Sequence, residues 1–139
     1  LCFPDAAALA ALTPEQLRAA GFSVSKIATL ERVAAAVLDG SLPLDAWAAE
    51  QSLPVAVIES TLLAIKGIGP WTVHYALLRG FGWLDGSLHG DVAVRNALAR
   101  LLDVPSVSQT ETEQWLAAFA PWRALVAAHL WASLSAKTY

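Results

Sequence analysis

The chain reads as a succession of short amphipathic segments, each closed by glycine or proline. Thr13-Pro14-Glu15-Gln16 opens the first: threonine caps, proline suits the first turn, Gln16 stands at the capping-box position, and Gly21 is the stop. From about residue 26 to residue 39, Ile27, Leu30, Val33, Ala34, Val37 and Leu38 recur at helical spacing, with Glu31 and Arg32 on the polar face and Gly40 ending the run. A short helix is predicted around 45–51. Ser52-Leu53-Pro54 then opens a helix ending at Lys66, with Val57, Ile58, Leu62 and Ile65 on one stripe. Pro70 stands first in a helix through Arg79, which Gly80-Phe81-Gly82 closes. Residues 81–90 are a flexible, glycine-rich loop, and Asp91 caps an apolar-periodic helix over 92–102. Thr110-Glu111-Thr112-Glu113 predicts a capping box leading into 115–119, and Ala120-Pro121 begins a last helix from Trp122 to about Ala136. No segment alternates with period two and no repeat recurs, so the fold class is all-α.

With 139 residues, 56% of them hydrophobic and 15% charged, the chain has apolar surface for one domain, or part of one, and too little polarity for disorder. No apolar run reaches the ~18–20 residues of a membrane span, and the start lacks a basic-then-apolar leader pattern. The single cysteine, Cys2, excludes an internal disulfide and a multi-cysteine iron–sulfur or zinc site, and fits a reducing cytoplasm. A start at Leu1 and the lack of methionine read as a fragment. A net charge of -3 argues against nucleic acid, which is usually met by a basic surface. The distribution softens this: Lys66, Arg79, Arg95 and Arg100 outnumber Asp85 and Asp91 in the middle of the chain.

Three groups of residues carry chemistry. Ile65-Lys66-Gly67-Ile68-Gly69-Pro70-Trp71-Thr72 joins two helices through a two-glycine turn, with Ile68 as its core anchor. Glycines remove side chains where a phosphate would approach, and the next helix offers free N–H groups and a positive dipole end. The same glycines are equally a helix stop and a tight turn. Asp91, after Gly90, is an acid at a helix start or simply an N-cap. Trp71 and Tyr75 lie four apart on one helical face, and Trp131 has Ala124, Ala127, Ala128 and Ser135 as helical neighbours, a stripe that leaves its ring free. Trp47, Trp83, Trp115 and Trp122 read as packing residues. His74, His89 and His129 share no metal-binding spacing; His74 and His129 read as packed or surface residues, and His89, just before Gly90-Asp91, is either that or a residue facing a ligand.

The hairpin segment, together with Leu1-Cys2-Phe3-Pro4, Gly90-Asp91, Pro121-Trp122-Arg123 and His129-Leu130-Trp131, resembles the helix-hairpin-helix superfamily of base-excision DNA glycosylases, and within it the 3-methyladenine DNA glycosylase II type. The resemblance covers essentially the whole chain. It implies one domain over 1–139, with the hairpin at about 54–79, that flips an alkylated base out of damaged double-stranded DNA and hydrolyses its N-glycosidic bond. In that reading Asp91 is the catalytic acid; Trp71, Tyr75 and Trp131 line the base pocket; Lys66, Gly67, Ile68, Gly69, Trp71 and Thr72 grip DNA, with Arg95 as a lesser contact. Relatives that also cut the strand carry a lysine where Trp71 stands, so the implied chemistry is monofunctional. No cofactor and no iron–sulfur cluster is implied, only a monovalent cation at the main-chain carbonyls of Leu63, Ile65 and Ile68.

The resemblance further implies a bacterial, nucleoid-associated cytoplasmic protein. The family's earlier helices, which carry the wedge that fills the duplex, are absent from this sequence, so flipping should be poor and apolar surface exposed or shared in a dimer. Three rival readings stay open: a non-catalytic hairpin module that binds DNA, an inactive glycosylase fragment, and a small helical interaction domain.

Overall fold

The computed structural model describes residues 3–135, and every regular element among them is a helix. Cys2 and the end of the last helix at Ala136 lie outside the described residues. The backbone contacts fall into two units, Leu1–Pro70 and Trp71–Tyr139.

In the first unit, α1 (Ala6–Ala10) is a helix the sequence pattern did not reveal, because its alanines form no stripe; Asp5 starts it by accepting from Ala8 N at 2.7 Å. Helix α2 (Pro14–Ala19) carries the predicted capping box, with Thr13 and Gln16 each bonding the other's backbone N–H. Helix α3 (Val24–Leu38) begins two residues earlier than the apolar spacing suggests, since the Ser23 hydroxyl accepts from Lys26 N. Both α1 and α2 pack on α3, around buried Leu17, Ile27 and Ala34. Helix α4 (Leu44–Ala48) buries Trp47. Helix α5 (Val55–Ala64) stops short of Lys66 because Ile65 is extended, at ψ 116°. Of its predicted stripe, Ile58 and Leu62 are buried, whereas Val57 is exposed. A groove of about 570 Å³ runs among α1, α3 and α4, lined by Leu9, Val33 and Val37 and flanked by Asp5 and Asp45. None of the predicted site residues lines it.

In the second unit, α6 (Pro70–Phe81) continues through Gly80 and breaks only at Gly82, whose φ of +68° lies in the left-handed region. Helix α7 (Val92–Leu101) follows the loop. Helix α8 (Gln109–Ala117) is capped by Ser108 with Glu111, not by Thr110 with Glu113 as predicted. Both pairs have the capping-box spacing. Starting at Ser108 turns Thr112 and Leu116 inward, both fully buried, with the Thr112 hydroxyl bonded to Ser108 O. Helix α9 (Arg123–Ser135) packs on α7 and α8. The core of this unit is Leu88, Val94, Leu98, Leu116, Ala124, Ala127 and Leu130, with alanines on α7 and α9 permitting close approach. Trp83 and Trp115 are half-buried, as packing residues should be, but Trp122 is 53% exposed. It lies just ahead of α9, outside the helix.

Candidate active site

The loop that leads to Asp91 is irregular but tied down residue by residue, in contrast to the flexible link its glycines suggest. Trp83 N donates to Leu77 O. The Leu84 carbonyl accepts from Ala124 N at 2.8 Å and Leu125 N at 3.3 Å, filling two of the amides that the first turn of α9 leaves without helical partners. Asp85 receives Arg123 in a two-point bridge, Nε to Oδ1 at 2.7 Å and Nη2 to Oδ2 at 2.9 Å. Gly86 is buried so close to α6 that an added Cβ would stand 3.0 Å from His74 Cβ. His74 Nδ1 donates to Ser87 O at 2.8 Å, and His89 Nδ1 pairs with the Ser87 hydroxyl at 2.7 Å. Leu88 is fully buried, and its carbonyl accepts from Asp91 N. His89 thus helps fasten the loop, the structural of the two readings its position before Gly90-Asp91 leaves open.

The Asp85–Arg123 bridge has a pH signature. The Arg123 hydrogen bond holds the Asp85 carboxyl below its ordinary value, against opposing desolvation. A depressed folded-state pKa contributes stability above the unfolded value of about 3.9, and that contribution is lost as pH falls through the folded value. Asp85→Asn should therefore cost about 1–2 kcal/mol near neutral pH. The gap between the melting temperatures of the two proteins should close as pH is taken below about 4. Thermal melts across that range check it; a gap that does not change with pH would remove the carboxylate from the explanation.

Asp91 is the N-cap of α7, with φ -73° and ψ 127°. Its Oδ1 accepts from Val94 N at 3.0 Å and from Trp131 Nε1 at 3.2 Å, and its Oδ2 accepts from Trp71 Nε1 at 3.0 Å. The carboxylate is therefore held by three donors, from α6, α7 and α9. An ionised carboxyl offers about four lone-pair sites, so room for a further donor such as water remains at Oδ2. The Trp71 ring stacks on Tyr75 at 5.2 Å and 13°, and Tyr75 meets Trp131 edge-on at 5.8 Å and 70°. Trp71 is 42% and Tyr75 37% exposed, so this aromatic wall is open to solvent beside the carboxylate. Trp131 is half-buried against the core, less free than its alanine stripe suggests, because Ala124 and Ala127 are themselves core.

Asp91, Trp71, Tyr75 and Trp131 thus converge. Arg95, one turn along α7, does not join them: its side chain makes no bond to the carboxylate, and its Nε is buried without a hydrogen-bond partner. Thr72 and Lys66 are exposed.

In the first unit's part of the hairpin, Ile68 N donates to Ile65 O at 3.0 Å and closes the turn. Ile68 is only half-buried, a partial anchor because the turn leaves one side of it open. Gly67 has φ +104°, and a Cβ there would land on the Thr29 hydroxyl of α3. That glycine is required by the fold, the turn reading of the two the sequence leaves open for it. Gly69 has nothing within 4 Å of its missing Cβ and keeps such clearance. The Lys66 carbonyl accepts from Arg32 Nη1 at 3.2 Å; Thr29 Oγ1 lies 3.4 Å from it but has a nearer acceptor in Ser25 O at 3.0 Å. These two α3 residues were missed by sequence reasoning. No local spacing singles them out, because α3 also carries Ser25, Lys26 and Glu31, and their contact with the turn is long-range.

Among the described residues, no three His, Cys, Asp or Glu side chains are grouped to hold a metal ion, and no helix is long and apolar enough to cross a membrane.

No protein-family model matches the chain. DNA-3-methyladenine glycosylase 2 of Escherichia coli is 29% identical over 133 residues, covering 94% of this chain and 43% of that protein. DNA-3-methyladenine glycosylase 1 of Schizosaccharomyces pombe is 31% identical over 132 residues, covering 93% of this chain and 56% of that protein. The solved structure of the Schizosaccharomyces pombe 3-methyladenine DNA glycosylase in complex with abasic DNA matches with a TM-score of 0.86 and 27% identity, over 99% of this chain and 66% of that one. The chain therefore spans about half the length of these curated relatives.

Proposed function

We propose that this chain, which belongs to the helix-hairpin-helix superfamily of DNA glycosylases, carries the chemistry of a monofunctional enzyme that removes alkylated bases of the 3-methyladenine type from damaged double-stranded DNA. The observation that supports it most is the Asp91 carboxylate, held by two indole N–H groups and a helix amide beside an exposed aromatic wall. As the N-glycosidic bond breaks, its electrons leave with the base and positive charge grows on the sugar. A fixed carboxylate stabilises that charge and can orient or deprotonate the water that attacks the anomeric carbon. A methylated purine already bears positive charge, so it leaves readily, and it gains ~0.5–2 kcal/mol when stacked on electron-rich rings such as Trp71 and Tyr75. The indole at position 71 has no amine with which to attack the sugar, so no Schiff base forms and the strand stays whole.

The whole chain as one glycosylase domain, with its hairpin at about 54–79, is part of this reading. So is a place on the nucleoid, where the substrate lies. Lys66, Gly67, Ile68, Gly69 and Thr72 would grip the phosphate backbone. The carbonyls of Leu63, Ile65 and Ile68 would hold a monovalent cation, the Ile65 oxygen having a second lone pair to offer after accepting from Ile68 N; the ion would supply positive charge toward a phosphate.

The test is incubation with methylated duplex DNA, followed by strand analysis with and without alkali. Breaks that appear only after alkali are expected; breaks before alkali would overturn the monofunctional assignment. Within this reading Trp71→Phe keeps a ring but deletes the donor to Asp91 Oδ2. Excision should fall about tenfold, the equivalent of one such hydrogen bond, with affinity for abasic duplex nearly unchanged. Equal losses in rate and affinity would assign Trp71 to binding alone.

A further inference from the structure

We propose that Arg32 of α3 is a ligand for a DNA phosphate at the hairpin turn, a second cation beside Lys66; this rests on the DNA-binding reading above. Ser25, Thr29 and Arg32 lie at i, i+4 and i+7, on one face of α3. Arg32 Nη1 donates to the Lys66 carbonyl from 34 positions away in sequence, whereas Thr29 Oγ1, 3.4 Å from the same oxygen, has a nearer acceptor for its one proton in Ser25 O at 3.0 Å. One N–H donor of any kind would cap that carbonyl, so the cap by itself does not call for a charged guanidinium.

What the guanidinium adds is charge. Only one of its nitrogens is engaged, and among the described residues neither Arg32 nor Lys66 has a carboxylate within ion-pair distance. Both are exposed. The first 65 residues are otherwise acidic, with Asp5, Glu15, Glu31, Asp39, Asp45, Glu50 and Glu59 against Arg18, Lys26 and Arg32. An exposed arginine fixed on the backbone of a residue that itself carries an exposed cation puts two positive charges at the turn with no carboxylate paired to either. Gly69, two residues past the Gly67 turn, leaves open space for one. The planar fork of arginine suits a phosphate, which it can meet at two oxygens.

The test is binding of the full chain to a duplex carrying an abasic-site analogue, read by fluorescence anisotropy across a salt series of about 50–300 mM. Arg32→Gln keeps a donor for the Lys66 carbonyl and loses the charge; Arg32→Lys keeps the charge. If Arg32 meets a phosphate, the glutamine variant should bind about three- to tenfold more weakly near 0.1 M salt. The slope of log affinity against log salt should shrink by about 0.9, and the lysine variant should restore that slope. A glutamine variant with the wild-type slope would overturn the proposal and leave Arg32 a cap of the turn. A wild-type protein with no salt-dependent binding would remove the DNA reading itself, a result distinct from the first.

Discussion

Replacing Asp91 by asparagine is expected to reduce base excision by about 10³-fold or more while leaving the fold and DNA affinity in place. Asparagine is as good an N-cap as aspartate, so its amide oxygen can still accept from Val94 N and α7 should start where it does now. The chemistry loses more. The amide carries no charge to set against the developing oxocarbenium ion, and it has one acceptor oxygen where two indole N–H groups now find two. Its NH₂ group would face an indole N–H, donor against donor. Single-turnover excision beside a thermal melt checks this: rate should collapse with the melting temperature within a few degrees of wild type. Loss of stability in step with loss of rate would reduce Asp91 to a helix cap.

The second large effect is expected at Gly67, and it falls on stability. Alanine at φ +104° meets backbone strain of about 1–3 kcal/mol, and its Cβ would also collide with the Thr29 side chain. Gly67→Ala should therefore destabilise by about 2–4 kcal/mol, a large share of the ~5–15 kcal/mol that holds an ordinary domain together. Adding Thr29→Ala removes the hydroxyl and methyl from the collision but leaves the strain, so the double variant should recover part of the loss. Urea titrations of the four proteins measure the coupling. A double variant no more stable than Gly67→Ala alone would mean that backbone strain, not the approach of α3, is what requires glycine there. Gly69→Ala, with open space around its Cβ, should cost much less.

The parts of the fold that were legible in the sequence are those with local causes. Thr13 with Gln16, Pro70 and Asp91 each mark a helix start through bonds or dihedrals set within a few residues. Where two local signals overlapped, as at Ser108 and Thr110, burial of Thr112 and Leu116 chose between them, and burial is not a local property. The loop before Asp91 looked flexible because its anchors are distant: Leu84 and Asp85 are held by α9, some forty residues on, and no spacing rule connects them.

The candidate site was legible by residue type and only partly by role. Asp91, Trp71, Tyr75 and Trp131 come together as expected, yet the resemblance presented the tryptophans as stacking surfaces. Their N–H groups also orient the carboxylate, and that follows only from the geometry. Gly67 was legible as a turn residue, but the reason for it, Thr29 on another helix, was not.

Whether this chain breaks the N-glycosidic bond of an alkylated base is read by chromatography of the free base released from methylated duplex DNA. Free 3-methyladenine is expected to appear well above the spontaneous rate, at neutral pH and without added cofactor. Release no faster than in protein-free DNA, from a protein that still binds an abasic duplex in a salt-dependent way, would contradict that expectation and leave a hairpin module that grips DNA without cutting the bond.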